Sequence, residues 1–172
     1  MDRRHALAVL ALALIAGGCS SGPRALVAGE DSCEYCRMTI DDVRFGAMVI
    51  TAKGRIQTFD SIECLASYVA ALSASDRPRG VYVANHEHPS QWMDAAKATY
   101  LHQSQLRSPM GRELAAFPRE ADRNTLIQRY GGRAIAWSDV LTLVQSPANG
   151  TAAPHTHGAR ASQPRQYGAR AH

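Results

Sequence analysis

The sequence predicts an α+β protein built from two small, related ββαβ units with a cleft between them. Three observations predict this class. Runs rich in β-branched and aromatic residues, typical of strands, alternate with amphipathic helical runs. The order strand, strand, helix, strand occurs twice, and each second strand ends in a phenylalanine, Phe59 or Phe117, just before a predicted helix.

The first unit spans residues 31–88. Asp60 follows the second strand, and Glu63 lies three residues later, which is the pattern of a capping box at a helix start. A lysine and a glycine between the two strands predict a hairpin turn. The predicted elements are strands at residues 44–51 and 55–59, a helix from Asp60 to about Ala71, and a strand at residues 81–84.

The second unit spans residues 89–146 and follows a linker predicted at about residues 85–97. Pro118 suits the first turn of a helix, and the glycine pair after Tyr130 ends it. Ser138 predicts the cap of a short terminal helix. The other predicted elements of this unit are strands at residues 98–102, 113–117 and 133–137.

The two ends of the chain predict targeting rather than fold. Residues 1–18 carry two arginines, a short apolar run and two glycines, which is the pattern of an export signal. Cys19 follows the glycines and is predicted to be lipidated, so that residues 19–30 form a flexible tether. Residues 147–172 contain few large apolar residues and predict a disordered tail.

Composition and charge exclude a nucleic-acid surface. The chain is 45% hydrophobic and 20% charged, with a net charge of +4. The excess positive charge lies at the two ends, and residues 19–146 hold 14 basic and 14 acidic residues. A nucleic-acid-binding fold needs a basic stripe on its own surface, so we expect no nucleic-acid partner.

Three cysteines, Cys33, Cys36 and Cys64, remain after Cys19 is set aside. An odd number of thiols in an exported protein is poorly explained by a disulfide framework. The Cys33-x-x-Cys36 pair leaves three uses open: part of a structural zinc site, a dithiol redox centre, or a soft-metal site. A second Cys-x-x-Cys pair, which zinc knuckles usually supply, does not occur in the sequence.

Methionines near the thiols favour copper among these uses. If the chain is extended at Cys36, the side chains of Cys36 and Met38 point to the same side. Thiolate and thioether ligands together favour Cu(I), and zinc seldom uses methionine. Met110 lies in a Pro-Met-Gly run that predicts an exposed turn, and is a second candidate ligand.

The remaining candidates are weaker. Cys64 falls in the first turn of the first predicted helix, where the helix N-terminus is expected to lower its pKa. His86 and His88 lie in a polar loop and are expected to be solvated. No nucleophile and base, phosphate-binding loop or carboxylate pair stands out, so we expect neither an enzyme nor a small-molecule substrate. Two tail histidines, His155 and His157, are candidates for loose metal binding.

Several motifs together resemble the NosL family of lipoproteins accessory to nitrous oxide reductase. They are the Cys-x-x-Cys-x-Met stretch with Thr39-Ile40, residues 58–64, Met93-Asp94-Ala95, Ser108-Pro109-Met110-Gly111 and Gly131-Gly132. The resemblance implies Cu(I) ligands at Cys36, Met38 and Met110, with Cys33 as a secondary ligand. Arg37 replaces the glycine that is usual in the family before that methionine.

The resemblance also implies a role and a location. A NosL-like chain is expected to be a Cu(I) chaperone on the periplasmic face of a bacterial membrane, anchored through lipid on Cys19. It is expected to pass copper to apo nitrous oxide reductase, or to the ABC-type membrane complex that matures it. Two alternatives stay open from the residues alone: a thiol-disulfide oxidoreductase using Cys33 and Cys36, and a structural zinc protein.

Overall fold

The computed structural model describes residues 22–146. Over these residues the chain forms two antiparallel sheets with small helices, which confirms the predicted α+β class. The strands are β1 Ala47–Ile50, β2 Ile56–Phe59, β3 Gly80–Ala84, β4 Trp92–Asp94, β5 Thr99–His102, β6 Ala115–Phe117 and β7 Arg133–Ile135. The helices are α1 Ile62–Ala70, α2 Arg123–Tyr130 and α3 Trp137–Gln145.

The first sheet has the strand order β2-β1-β3-β4. Its fourth strand lies inside residues 85–97, which the sequence analysis assigned to a linker. Asn85 donates its backbone N–H to the carbonyl of Gln91 (3.0 Å), so the chain reverses tightly after β3. The pairing of Ala84 with Trp92 then continues the ladder. A tight polar turn therefore replaces the expected linker.

The second sheet has the order β6-β5-β7, which repeats the order β2-β1-β3 of the first. The central strands β1 and β5 each pair antiparallel with the next strand along the chain and with the strand that follows the helix. This agreement supports the repeated ββαβ arrangement beyond the order of elements along the chain. β4 lies within residues 89–146 but belongs to the first sheet. α3 is the additional element at the end of the second unit.

A common hydrophobic core joins the two units. Helix α1 of the first unit packs against α3 of the second, and the buried Tyr100 of β5 belongs to the same core cluster as Phe59 of β2. Burial of such aromatic and aliphatic side chains is the main favourable term in folding. The shared core takes buried residues from both units, among them Val49, Phe59, Leu65, Val83, Tyr100, Leu114, Ile135 and Val140.

Helix α1 is capped by a residue other than the one predicted. The Ser61 side chain, not that of Asp60, accepts the backbone N–H of the first turn, from Cys64 at 3.2 Å. The helix cap therefore lies one residue after the predicted Asp60, and the predicted capping box of Asp60 and Glu63 is wrong. Glu63 is buried, and its carboxylate accepts the hydroxyl of Ser108 in the second unit.

Both helices of the second unit also begin differently from the prediction. α2 begins at Arg123, five residues after Pro118, and Asp122 caps it by accepting the N–H groups of Asn124 and Thr125. α3 begins at Trp137, where the Asp139 carboxylate accepts the N–H of Ala136 (2.9 Å), so Ser138 is not the cap. In each case an aspartate carboxylate accepts a backbone N–H at the helix start.

The residues just before the first unit are attached to the fold. Arg24 forms an ion pair with Asp31, with 2.5 Å between guanidinium nitrogen and carboxylate oxygen. Gly29 donates its N–H to the carbonyl of Ile40 (3.0 Å). Residues 24–30 are therefore docked, and the part of the predicted tether that can be described does not behave as a free linker. Cys19, residues 1–18 and residues 147–172 lie outside the described residues.

None of the helices within residues 22–146 combines the length and the apolar character needed to span a bilayer.

Candidate metal centre

The loop that carries the Cys-x-x-Cys-x-Met stretch is a closed turn. Ser32 bridges Thr39, and Cys33 donates its N–H to the carbonyl of Met38 (2.8 Å). Arg37 has a φ of 66°, in the left-handed region. The expectation of an extended chain from Cys36 to Met38 is therefore wrong, because a left-handed residue between them breaks the alternation of strand side chains.

Two hydrogen bonds hold this loop against the end of β2. Glu34 donates its N–H to the carbonyl of Thr58 (2.8 Å), and the Thr58 hydroxyl donates to the carbonyl of Ser32 (2.8 Å). Since α1 begins three residues after Phe59, the same contacts bring the loop to the first turn of that helix. The loop, the strand end and the helix start therefore converge at one place.

Four side chains meet there. Cys33, Cys36, Asp60 and Cys64 each offer one ligand atom, and these atoms all lie within 4.8 Å of one another. All three thiols are free. Cys33 and Cys64 are fully buried, whereas Cys36 is half-buried. We call these four residues the thiol cluster.

Hydrogen bonds and burial give the three thiols of the cluster different pKa values. The hydrogen bond from Cys64 lowers the pKa of Cys33 to about 6, so this sulfur loses its proton most readily of the three. The same contact, together with burial, raises the pKa of Cys64 well above its usual value. Burial raises the pKa of Cys36 to about 11. The expected lowering of the Cys64 pKa by the helix N-terminus is thus outweighed by the hydrogen bond to Cys33 and by burial.

Asp60 is part of this cluster rather than a helix cap. One carboxylate oxygen accepts from the Cys36 thiol at 3.4 Å, and the other is buried without a hydrogen-bond partner. A buried carboxylate oxygen with no partner costs free energy unless a positive charge lies nearby. The arrangement is therefore suited to a bound cation.

Met38 and Met110 are both solvent-exposed, at 55% and 43% of their surface. Met38 lies on the loop of the thiol cluster, two residues beyond Cys36. Met110 lies in a turn closed by a hydrogen bond from Gly111 to Ser108 (3.0 Å), which agrees with the predicted turn. Their use as copper ligands, like that of Cys36 and Cys33, stays a prediction.

The turn that carries Met110 is fastened to α1 of the other unit. The Ser108 hydroxyl and the Arg112 N–H both bond to the buried carboxylate of Glu63, the residue before Cys64. Arg112 also donates from its guanidinium to the carbonyl of Leu143 in α3 (2.7 Å). One buried glutamate therefore links the turn of the second unit to the helix that contributes a thiol.

Sequence reasoning undervalued Cys64 and misjudged one histidine. Cys64 had a usable signal, because it falls in the first turn of a helix that starts directly after a strand. His86 was expected to be solvated, yet it is 5% exposed and packs on Phe45 (4.9 Å between ring centroids) and Phe117. His88 is exposed, as expected.

A separate surface cavity lies beside His86. Its volume is about 480 Å³, and two arginines in its wall, Arg44 and Arg129, are already paired with Asp42 and Glu87. No member of the thiol cluster lines this cavity. It is lined by Arg44, His86, Glu87, His88, Leu106, Arg129 and Tyr130.

The family model of NosL matches residues 24–144, which is more than half of the chain. The chain belongs to the NosL family. The matched region contains the first unit, all but the last two residues of the second, and the complete thiol cluster. This finding confirms the resemblance identified from the motifs.

A solved structure agrees with this assignment at the level of the fold. The chain is similar to the crystal structure of the copper chaperone NosL from Shewanella denitrificans, with a TM-score of 0.58 and 20% sequence identity. The similarity covers 69% of this chain and 95% of the other. A comparison with curated protein sequences gives no match.

Proposed function

We propose that this chain is a Cu(I) chaperone, anchored by lipid on the periplasmic side of a bacterial membrane, that delivers copper for the assembly of nitrous oxide reductase. The observation that carries the proposal is the thiol cluster, which places three cysteine sulfurs together with one of them reaching the surface. Soft sulfur ligands favour Cu(I). NosL family membership and the fold shared with a copper chaperone support the same function.

The burial of the thiols argues against an oxidoreductase. A dithiol catalyst exposes a cysteine of low pKa so that its thiolate attacks a substrate disulfide. Here the low pKa belongs to the fully buried Cys33, and the more exposed Cys36 has a raised pKa. Neither sulfur combines reactivity with access, so binding and release of a metal ion suit the site better than disulfide exchange.

A second candidate, a zinc site, has one specific observation in its favour. Asp60 supplies an oxygen next to three sulfurs, and a Cys₃Asp set is a composition that Zn²⁺ accepts in tetrahedral sites. A structural zinc ion would be required for folding. The proposal therefore predicts that the protein stays folded in a zinc chelator and binds Cu(I) in preference to Zn²⁺.

The physiological part of the proposal is tested in cells. In a denitrifying bacterium that depends on this chain, Cys36→Ser is expected to yield nitrous oxide reductase deficient in copper, with normal amounts of its polypeptide. Ser32→Ala, an exposed neighbour without sulfur, is the matched control. A reductase fully loaded with copper in the Cys36→Ser strain contradicts the proposed delivery. Release of the chain from membranes by Cys19→Ser tests the anchor.

A further inference from the structure

We propose that the copper ion is held by two alternative sulfur sets that share Cys36. The inner set is Cys33, Cys36 and Cys64, and retains copper beneath the surface. The outer set is the one that the resemblance to the NosL family implies, Cys36 with Met38 and Met110, and presents copper to a partner. This inference rests on the proposed function and extends it, because it assigns Cys33 and Cys64 a retention role.

The geometry of the inner set fits one ion. Sulfurs bound to a common ion at about 2.3 Å lie about 4 Å apart, and the ligand atoms of the thiol cluster lie within 4.8 Å of one another. Small side-chain rotations are sufficient to close the difference. Hydrogen bonds hold the backbone at both buried cysteines: the loop that carries Cys33 is bonded to β2, and Cys64 lies in a capped helix turn.

A second, independent observation points to a cation at the same place. Asp60 is 3% exposed, and one of its carboxylate oxygens has no hydrogen-bond partner. That oxygen belongs to a side chain whose other oxygen already contacts Cys36 at 3.4 Å. A positive ion among the sulfurs compensates the buried carboxylate charge, whether or not the oxygen coordinates it.

Exposure separates the two sets. Cys33 and Cys64 are inaccessible to an approaching protein, at 0% and 1% exposure, whereas Met38 and Met110 are in solvent. Cys36 lies at the boundary. An acceptor can therefore replace the outer ligands one by one while copper remains bound to Cys36. Copper stays cuprous throughout, and the only bonds that form or break are copper–sulfur bonds.

The two sets predict effects of opposite sign. Loss of an inner ligand weakens retention, so the Cu(I) affinity of Cys33→Ser or Cys64→Ser is expected to fall by about 100-fold, the upper end of what loss of a supporting group costs a metal site. Transfer to a competing chelator becomes faster. Met38→Leu and Met110→Leu, both at exposed positions, are expected to slow transfer and to change affinity less than tenfold.

The deciding experiment counts sulfur neighbours of copper by X-ray absorption on the full chain, loaded anaerobically with one equivalent of Cu(I). In the double variant Met38→Leu, Met110→Leu, three sulfurs at about 2.3 Å are expected to remain. A fall to a single sulfur overturns the inner set. Because both substitutions are on the surface, a folding defect does not confuse the result.

Measurements of Cu(I) affinity and transfer rate distinguish failure of the proposed function from failure of the inner set. Competition with bicinchoninate gives both quantities for wild type, for each variant and for the control Ser32→Ala. If wild type binds no Cu(I), the proposed function fails. If Cu(I) binding is lost in Cys36→Ser but unchanged in Cys33→Ser and Cys64→Ser, the proposed function stands and the inner set is overturned.

Discussion

The two ββαβ units differ most at the connection between the second strand and the helix. In the first unit only Asp60 and Ser61 separate β2 from α1. In the second unit residues 118–122 separate β6 from α2. The short connection places the first turn of α1 directly beside the end of β2, where the Cys33 loop is bonded. The same order of elements thus creates a cluster of ligands in one unit and not at the equivalent place in the other.

The two units share their strand order, whereas the thiol cluster depends on the short connection between β2 and α1. Both units have the same sheet order and a phenylalanine at the end of the second strand. The second unit contributes instead a turn with an exposed methionine, which Glu63 holds to α1. The thiol cluster of the first unit and the Met110 turn of the second unit therefore adjoin at the N-terminal turn of α1.

The largest effect is expected from lengthening the short connection between β2 and α1. Insertion of two glycines between Asp60 and Ser61 moves Cys64 away from the loop that carries Cys33. We expect Cu(I) affinity to fall by about 100-fold, the upper end of what loss of supporting contacts costs a metal site. The measurement is anaerobic competition with bicinchoninate.

The second unit provides the matched control for that insertion. Two glycines between Arg119 and Glu120, both exposed, lengthen a connection that is already long, which surface loops tolerate well. Copper affinity is expected to stay within twofold of wild type. Equal losses from both insertions contradict the claim that connection length creates the site.

Removal of the Glu63 carboxylate tests the link between the units. In Glu63→Ala the Ser108 hydroxyl and the Arg112 N–H lose their acceptor in a buried position. We expect the free energy of unfolding to fall by about 1–3 kcal/mol. Glu120→Ala at an exposed site is the control and is expected to change it by less than about 0.5 kcal/mol. Urea unfolding of copper-free protein measures both.

Glu63 also predicts a pH dependence. Burial raises the pKa of its carboxyl above the 4.5 of an exposed glutamate. Above pH 4.5 the native chain therefore retains a proton that the unfolded chain has lost. The free energy of unfolding falls as pH rises through that window, by at most about 1.4 kcal/mol per pH unit.

The matching variant for the pH measurement is Glu63→Gln, which keeps an acceptor oxygen and does not titrate. Its free energy of unfolding is expected to vary less with pH than that of wild type between pH 4.5 and 7. Parallel curves for the two proteins contradict the raised pKa.

The smallest effect is expected at Arg37. Its φ of 66° is unfavourable for a side chain with a Cβ and costs about 1 kcal/mol. Its ion pair with Glu34 is exposed and contributes little. Arg37→Gly is expected to raise the free energy of unfolding by up to about 1 kcal/mol, as measured in urea. A destabilisation of that size indicates that the turn depends on the arginine itself.

Much of the fold follows from local signals. The hydrophobic periodicity and the turn residues predicted β1, β2, β3, β5, β6, β7 and α1 within a few residues, because their patterns are local. β4 was missed since Trp92–Asp94 is short, and only its pairing with β3 makes it a strand. The cap of α1 was misplaced by one residue because Asp60 and Ser61 are both good caps.

The candidate site was half predictable. Spacing alone marked Cys33 and Cys36 as candidates, and the structure places their sulfurs within 4.8 Å of each other. Their use as ligands stays a prediction. Asp60 and Cys64 lie more than twenty residues further along the chain. The hydrogen bonds between the Cys33 loop and Thr58 place them beside Cys33 and Cys36. The extended geometry predicted between Cys36 and Met38 was wrong because Arg37 adopts a left-handed conformation. Such a conformation is usual for glycine and is not predicted from an arginine.

Binding of Cu(I) by the thiol cluster is tested by an anaerobic competition titration of wild type and Cys36→Ser against bicinchoninate. We expect one Cu(I) per wild-type chain and an affinity at least about 100-fold lower in Cys36→Ser, because both sulfur sets lose their shared ligand. An unchanged affinity in Cys36→Ser contradicts Cu(I) binding at this cluster.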